Sequence, residues 1–186
     1  WHGAQCLPPD YQVCMVSLSP GGSDADIKRE FALVGNAFVK DGFSLPEAKS
    51  YVAWINRDML FVMTDTGPGT LTTSGYPRQV REWKRGTPVS EAALVFEGKE
   101  TDVAVGAYRD HTEGFEREWV YTSPTFFTTE MFLRKGQDLV KLEVPDHASA
   151  FAHREWLFVQ LRSDWEVGGM RWPSGALLVA PFDAFL

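Results

Sequence analysis

The most constraining feature of this chain is its rhythm. Short runs of Val, Leu, Phe, Trp and Tyr recur from end to end, and residues that favour tight turns separate them. Strand candidates fall at 13–18, 27–33, 60–63, 79–84, 93–96, 103–108, 119–122, 131–134, 139–144, 157–161 and 177–180. Turn signals lie between them at Pro20-Gly21-Gly22, Gly67-Pro68-Gly69, Lys135-Gly136-Gln137-Asp138, Gly168-Gly169 and Pro173-Ser174-Gly175. Helical periodicity is nearly absent. Residues 45–50 and 89–93 could each form a turn or two, since Pro46 and Ser90 suit helix starts, but neither could organise a fold. The expected class is all-β.

The strands come in two textures. Leu60-Phe61-Val62-Met63 and Leu157-Phe158-Val159 are continuous apolar runs, suited to strands covered on both faces. Val80-Arg81-Glu82-Trp83-Lys84 is mixed and Val140-Lys141-Leu142-Glu143-Val144 alternates strictly, which suits strands with one wet face. The apolar strands near Met15, Phe61, Val120 and Phe158 are 46, 59 and 38 positions apart. A propeller blade of four antiparallel strands occupies roughly 40 to 50 residues. A polar loop at 110–116 is expected to lengthen the middle interval. Spacing therefore suggests about three to four blades, fewer than most closed rings contain, although a β-sandwich has similar spacing. The apolar carboxyl end, Pro181-Phe182-Asp183-Ala184-Phe185-Leu186, adds the expectation of a truncated piece.

Composition narrows the function classes. A formal net charge of −7 argues against nucleic acid and against docking on an anionic membrane. No apolar run approaches the roughly 18 residues of a membrane-spanning helix, and Trp1-His2-Gly3-Ala4 does not open a signal peptide. The expected compartment is the cytoplasm, with the periplasm left open. Cys6 and Cys14 lack metal-ligand spacing, and two ordinary thiols are the expectation rather than a disulfide.

Catalytic chemistry has little purchase. The nucleophile-elbow pattern GxSxG is absent: Thr72 and Trp172 stand where its first glycine would precede Ser74 and Ser174, so both serines read as turn residues. His2, His111, His147 and His153 fit no zinc spacing, and His111 with Asp110 and Glu113 reads as a hydrated loop. Ser23-Asp24-Ala25-Asp26 is an incomplete calcium loop, better read as a polar hairpin tip. Of seven tryptophans, Trp54, Trp119 and Trp156 stand at the starts of apolar runs and are expected to pack. No catalytic, cofactor-binding or metal-binding residue is expected.

Several segments, in collinear order, resemble the N-terminal propeller of bacterial prolyl-oligopeptidase-like serine peptidases. They are Val16 to Ala25 with Arg29-Glu30-Phe31; Gly42 to Ser50 with Trp54 to Asp58; Ser74 to Arg78 leading into Trp83 to Pro88; and His153 to Trp156, Arg162 to Trp165 and Phe182 to Leu186. The resemblance implies a seven-bladed propeller in the complete protein, of which residues 1–186 supply a fragment. It also implies an α/β-hydrolase domain, absent here, that carries a Ser-Asp-His triad and cleaves short peptides after proline. The implied role is a gate over that domain, inactive on its own, with the hydrolase domain and proline-containing peptides as partners. Self-association through open edges is a further expectation. The competing function is a stand-alone propeller or sandwich module that binds peptide or glycan.

Overall fold

The computed structural model describes every residue, Trp1–Leu186. Sixteen of the eighteen strands form four successive antiparallel sheets, each built in chain order, and the other two form a separate hairpin. The first contains β1 (Gly3–Cys6), β2 (Val13–Leu18), β3 (Asp26–Ala32), β4 (Ala37–Phe38) and β5 (Ser44–Ala48). Both β4 and β5 pair with β3, so the outer strand is one position interrupted near Gly42. The second sheet is β6 (Tyr51–Asn56), β7 (Met59–Met63), β8 (Gln79–Lys84) and β9 (Ala93–Glu97). The third is β10 (Ala104–Asp110), β11 (Arg117–Thr125), β12 (Thr128–Lys135) and β13 (Asp138–Lys141). The fourth has three strands, β14 (Ser149–His153), β15 (Trp156–Gln160) and β18 (Leu177–Pro181). The hairpin of β16 (Trp165–Val167) and β17 (Met170–Trp172) is inserted before its third strand, and one helical turn, α1 (Phe182–Phe185), follows.

This is a partial β-propeller of four blades. The first strands β1, β6 and β10 lie beside one another, which puts them on the inside of the arc. Three apolar cores fill the three seams between blades. Val13, Met15, Leu45, Val52, Trp54, Leu60, Val62 and Trp83 fill the first. Phe61, Met63, Val80, Val105 and Val120 fill the second. Trp119, Leu133, Leu157, Val159 and Phe182 fill the third. Because side chains alternate along a strand, Leu60 and Val62 serve one seam while Phe61 and Met63 serve the next. A middle blade must be apolar on both faces, hence the unbroken run in β7.

Several expectations change. Residues 45–50 form no helical turn; 44–48 are strand β5, and Pro46 is tolerated because this outer strand pairs on one side only. Residues 89–91 do make a 3₁₀ turn. The long middle interval owes as much to the excursion at 64–78, closed by a Leu71–Pro77 bridge, as to the loop after β10. Trp156 is exposed rather than packed, whereas Trp54 and Trp119 are buried. The run at 157–159 is covered on one face only: Leu157 and Val159 are buried in the third seam, while Phe158 stacks on Phe151 at 5.0 Å on the outer face of the fourth sheet. Cys6 and Cys14 are not free thiols but form a disulfide, because they stand directly opposite one another in the β1–β2 ladder.

Candidate functional site in the seam between the first two blades

The seam between blades one and two is the most unusual in the molecule. Along β3 the alternating residues Asp26, Lys28 and Glu30 all point into it and are buried, while Ile27 and Phe31 take the opposite face. Charged side chains are rarely buried without partners. Here each has one. Lys28 Nζ donates to Asp26 Oδ1 at 2.6 Å and to Ser17 Oγ at 3.0 Å. Glu30 receives both Nη groups of Arg85 at 2.8 and 3.0 Å, and the backbone N–H of Phe43. The Arg85 guanidinium also lies 4.5 Å over the Phe43 ring and donates to the carbonyl of Arg57. Gly42 is required beside it, because a Cβ there would stand 2.9 Å from Glu30 Oε2.

At the other end of the same seam the packing opens into a cleft of about 500 Å³. Its floor carries Ser17, Asp26, Lys28 and Ser50, and its walls carry His2, Asp24, Tyr51 and Tyr76. His2 Nδ1 lies 3.2 Å from Asp26 Oδ2, and the Tyr76 hydroxyl donates to Asp24 Oδ2 at 2.7 Å. Lys49 Nζ sits 4.0 Å over the Tyr76 ring. The bond to Asp24 raises the Tyr76 phenol above its usual range. Burial, then the neighbouring Tyr76 and the Asp24 and Asp26 carboxylates, raise that of Tyr51. The Ser50 hydroxyl is buried without a hydrogen-bond partner.

The other seams are stitched more simply. Arg134 of blade three bonds Glu82 of blade two, and Glu118 at 3.1 Å. Arg117 donates to the carbonyl of Arg154 in blade four at 2.7 Å. His111, read from sequence as hydrated, bonds the Trp54 carbonyl across the second seam through Nε2 at 3.0 Å. Trp54 itself donates from Nε1 to the Gln5 carbonyl, across the first seam.

Ser74 and Ser174 sit in exposed turns. His153 lies in β14 and is exposed, far in the chain from the first seam. His147 is more provocative: Nε2 bonds Ser163 Oγ and Nδ1 lies 3.2 Å from Asp146 Oδ1, which is the connectivity of a Ser-His-Asp triad. All three side chains are solvent-exposed, and Asp146 precedes His147 directly in the chain. A triad acts through a water-excluded pocket with preorganised oxyanion donors, whereas this cluster lies open to solvent. Asp26, expected from sequence in a polar hairpin tip, instead opens β3 and is buried, and Lys28 and Glu30 drew no reading as buried charges. Their signal, Asp-x-Lys-x-Glu at strand period, is the pattern of a solvated face.

Known proteins give this architecture a context. Residues 2–115 match the family model described as prolyl oligopeptidase, N-terminal beta-propeller domain. The uncharacterized peptidase y4nA of Sinorhizobium fredii is 34% identical over 194 residues, which cover 100% of this chain and 27% of that protein. The uncharacterized peptidase RP174 of Rickettsia prowazekii is 28% identical, over 92% of this chain and 26% of its own length. Among solved structures, a post-proline cleaving enzyme from Rickettsia typhi superposes with a TM-score of 0.88 at 26% identity, over 99% of this chain and 29% of that one. Oligopeptidase B from Trypanosoma brucei shares the fold, with a TM-score of 0.65 at 17% identity, over 99% of this chain and 24% of its own. The chain thus spans about a quarter of the length of the relatives it matches.

Proposed function

The chain belongs to the prolyl oligopeptidase N-terminal β-propeller family, and from that premise we propose that it is the gating propeller segment of a serine peptidase that cleaves short peptides after proline. The reading is carried by one observation: the four-blade arc superposes over nearly its whole length on an enzyme that cleaves after proline. In this reading the hydrolase domain supplies the Ser-Asp-His triad. The propeller acts sterically, admitting small peptides and keeping bulk water from the acyl-transfer step. The seams support such a role, because paired arginines and packed cores hold the blades as a rigid wall. The chain alone is inactive.

The apolar outer faces favour this reading over a stand-alone binding module. One face carries Trp1, Val16, Phe31, Leu33 and Phe38 around a concavity of about 370 Å³, and the other carries Phe151, Leu177 and Val179. Both faces have the composition of a blade seam rather than of a solvated surface. For the compartment, the Cys6–Cys14 disulfide weighs toward the oxidising periplasm, since cytosolic thiols are kept reduced.

The test uses the intact polypeptide and a series of quenched proline-containing peptides of increasing length. Hydrolysis should fall steeply once peptides exceed what a narrow passage admits. Equal cleavage of short peptides and of unfolded whole proteins would overturn the gate. The 186-residue chain should neither hydrolyse these peptides nor take a fluorophosphonate on Ser163.

A further inference from the structure

We propose that the cleft between blades one and two is a binding site for a primary ammonium group. The cleft is formed by the inner strands β1 and β6 together with the buried ends of β2 and β3, so it opens on the inside of the arc. Its polar groups are built in rather than scattered: Asp26 is buried, held by Lys28 on one oxygen and faced by His2 on the other. Ser50 is buried at its floor with a hydroxyl that nothing in the fold satisfies. A buried hydroxyl without a partner is costly, and a ligand that supplies the partner recovers that cost.

The sign of the ligand follows from the charges. Lys28 is already matched by Asp26 within the floor. Asp24 on the wall stays mostly exposed, meeting Lys49 only at 3.8 Å. Asp24 Oδ2 accepts the Tyr76 hydroxyl while its Oδ1 is left without a hydrogen-bond partner, so the mouth offers an anionic acceptor to a cation. The shape of the cation follows from the acceptors. A guanidinium is read by two oxygens of one carboxylate lying side by side, and both oxygens of Asp26 are occupied by different partners. An ammonium carries three divergent donors, which suits single oxygens from an aspartate, a serine and a tyrosine. The exposed Tyr51 ring offers a cation–π face as well.

That the ammonium arrives on a peptide rests on the gating reading. It could then be the amino terminus or a lysine side chain. The experiment titrates the 186-residue chain, which brings no hydrolase pocket to confuse the signal, with three proline-free peptides followed by amide NMR. One has a free amino terminus and no lysine, one is N-acetylated with a lysine, and one is N-acetylated without lysine. We expect the signals of Gly3, Ser50 and Tyr51 to shift with an ammonium-bearing peptide, at about tenfold higher affinity than with the neutral one. Binding of only one of the first two assigns the source. Asp24→Asn and Tyr51→Phe, both at exposed positions, should each weaken binding about threefold or more without altering the rest of the spectrum. Equal affinity for the neutral peptide, no shift at these residues, or unchanged binding in both variants would overturn the site. Such a failure leaves the length dependence of the intact peptidase untouched, so the two readings fall separately.

Discussion

Arg85 in blade two closes a two-pronged ion pair on Glu30 in blade one, at 2.8 and 3.0 Å, and the Glu30 side chain is wholly buried beneath it. Fifty-five residues separate the two in sequence, so the pair fixes one blade against the next. A carboxylate at that depth is tolerable only while its partners remain.

Removing the guanidinium should therefore be severe. Arg85→Ala leaves Glu30 with the Phe43 N–H alone, and we expect a loss of about 3 to 5 kcal/mol in urea unfolding. Arg85→Lys should recover part of this, since a single ammonium can meet one oxygen but cannot span two. A loss below about 1 kcal/mol for the alanine variant would show that the pair contributes no more than a surface bridge.

Gly106 in β10 faces Tyr121 in β11, and a Cβ at Gly106 would lie 2.3 Å from the Tyr121 ring. The ring occupies the space a side chain would need. Gly106→Ala should destabilise the third blade by about 1 to 3 kcal/mol through overpacking. The double variant Gly106→Ala/Tyr121→Ala should cost less than the sum of the two single changes, because the clash disappears with the ring.

Tyr108 gives the fold an alkaline limit. Burial, with Asp110 and Tyr121 nearby, raises its phenol from 10.0 to about 12. The folded state thus disfavours the phenolate relative to the unfolded chain. The contribution is complete below pH 10 and is lost as the pH rises toward 12. Thermal unfolding followed across that window should show a falling midpoint, and Tyr108→Phe should flatten the fall.

How much of this could be read from the sequence differs between strands and seams. The apolar run at 60–63 announced a strand buried on both faces, and β7 has that place. The strand β6 escaped despite its Tyr51, Val52, Trp54 and Ile55, and so did weaker strands. β1, β5 and β14 carry few large apolar residues, and each is held by its ladder to a stronger neighbour rather than by its own pattern. The seam site was hidden for a different reason. In β3, apolar Ile27 and Phe31 alternate with Asp26, Lys28 and Glu30, and local patterning assigns the charges to water. Only Arg85, arriving from a distant position, and Ser17, directly opposite Lys28 on β2, make burial of those charges tolerable. The Cys6–Cys14 bond was equally invisible, since β1 had no strand signal to set a register.

That disulfide should be detectable directly. It ties the inner strand β1 to β2 across a separation of eight residues. The purified chain should contain no thiol that reacts under denaturing, non-reducing conditions. Cys6→Ser/Cys14→Ser should cost about 2 to 3 kcal/mol, with amide protection lost first in β1. Two titratable thiols in freshly isolated protein would contradict the bond and with it the argument for an oxidising compartment.

The outer faces set the last expectation. Phe151 and Phe158 stack at 5.0 Å with Leu177 and Val179 beside them, while Trp1, Leu33 and Phe38 line the opposite end of the arc. Apolar area left in water drives association in proportion to its size, at about 25 cal/mol per Å². In a longer polypeptide, further blades would cover these faces; in the 186-residue chain, copies of itself can. Sedimentation of the isolated chain should therefore show dimers or larger species that dissociate on dilution. Phe151→Ser with Val179→Thr should shift the distribution toward monomer while leaving the three internal cores, and hence the circular dichroism, unchanged. A strict monomer at high concentration would mean that these faces are satisfied in some other way. It would also weaken the case for missing blades as their natural cover.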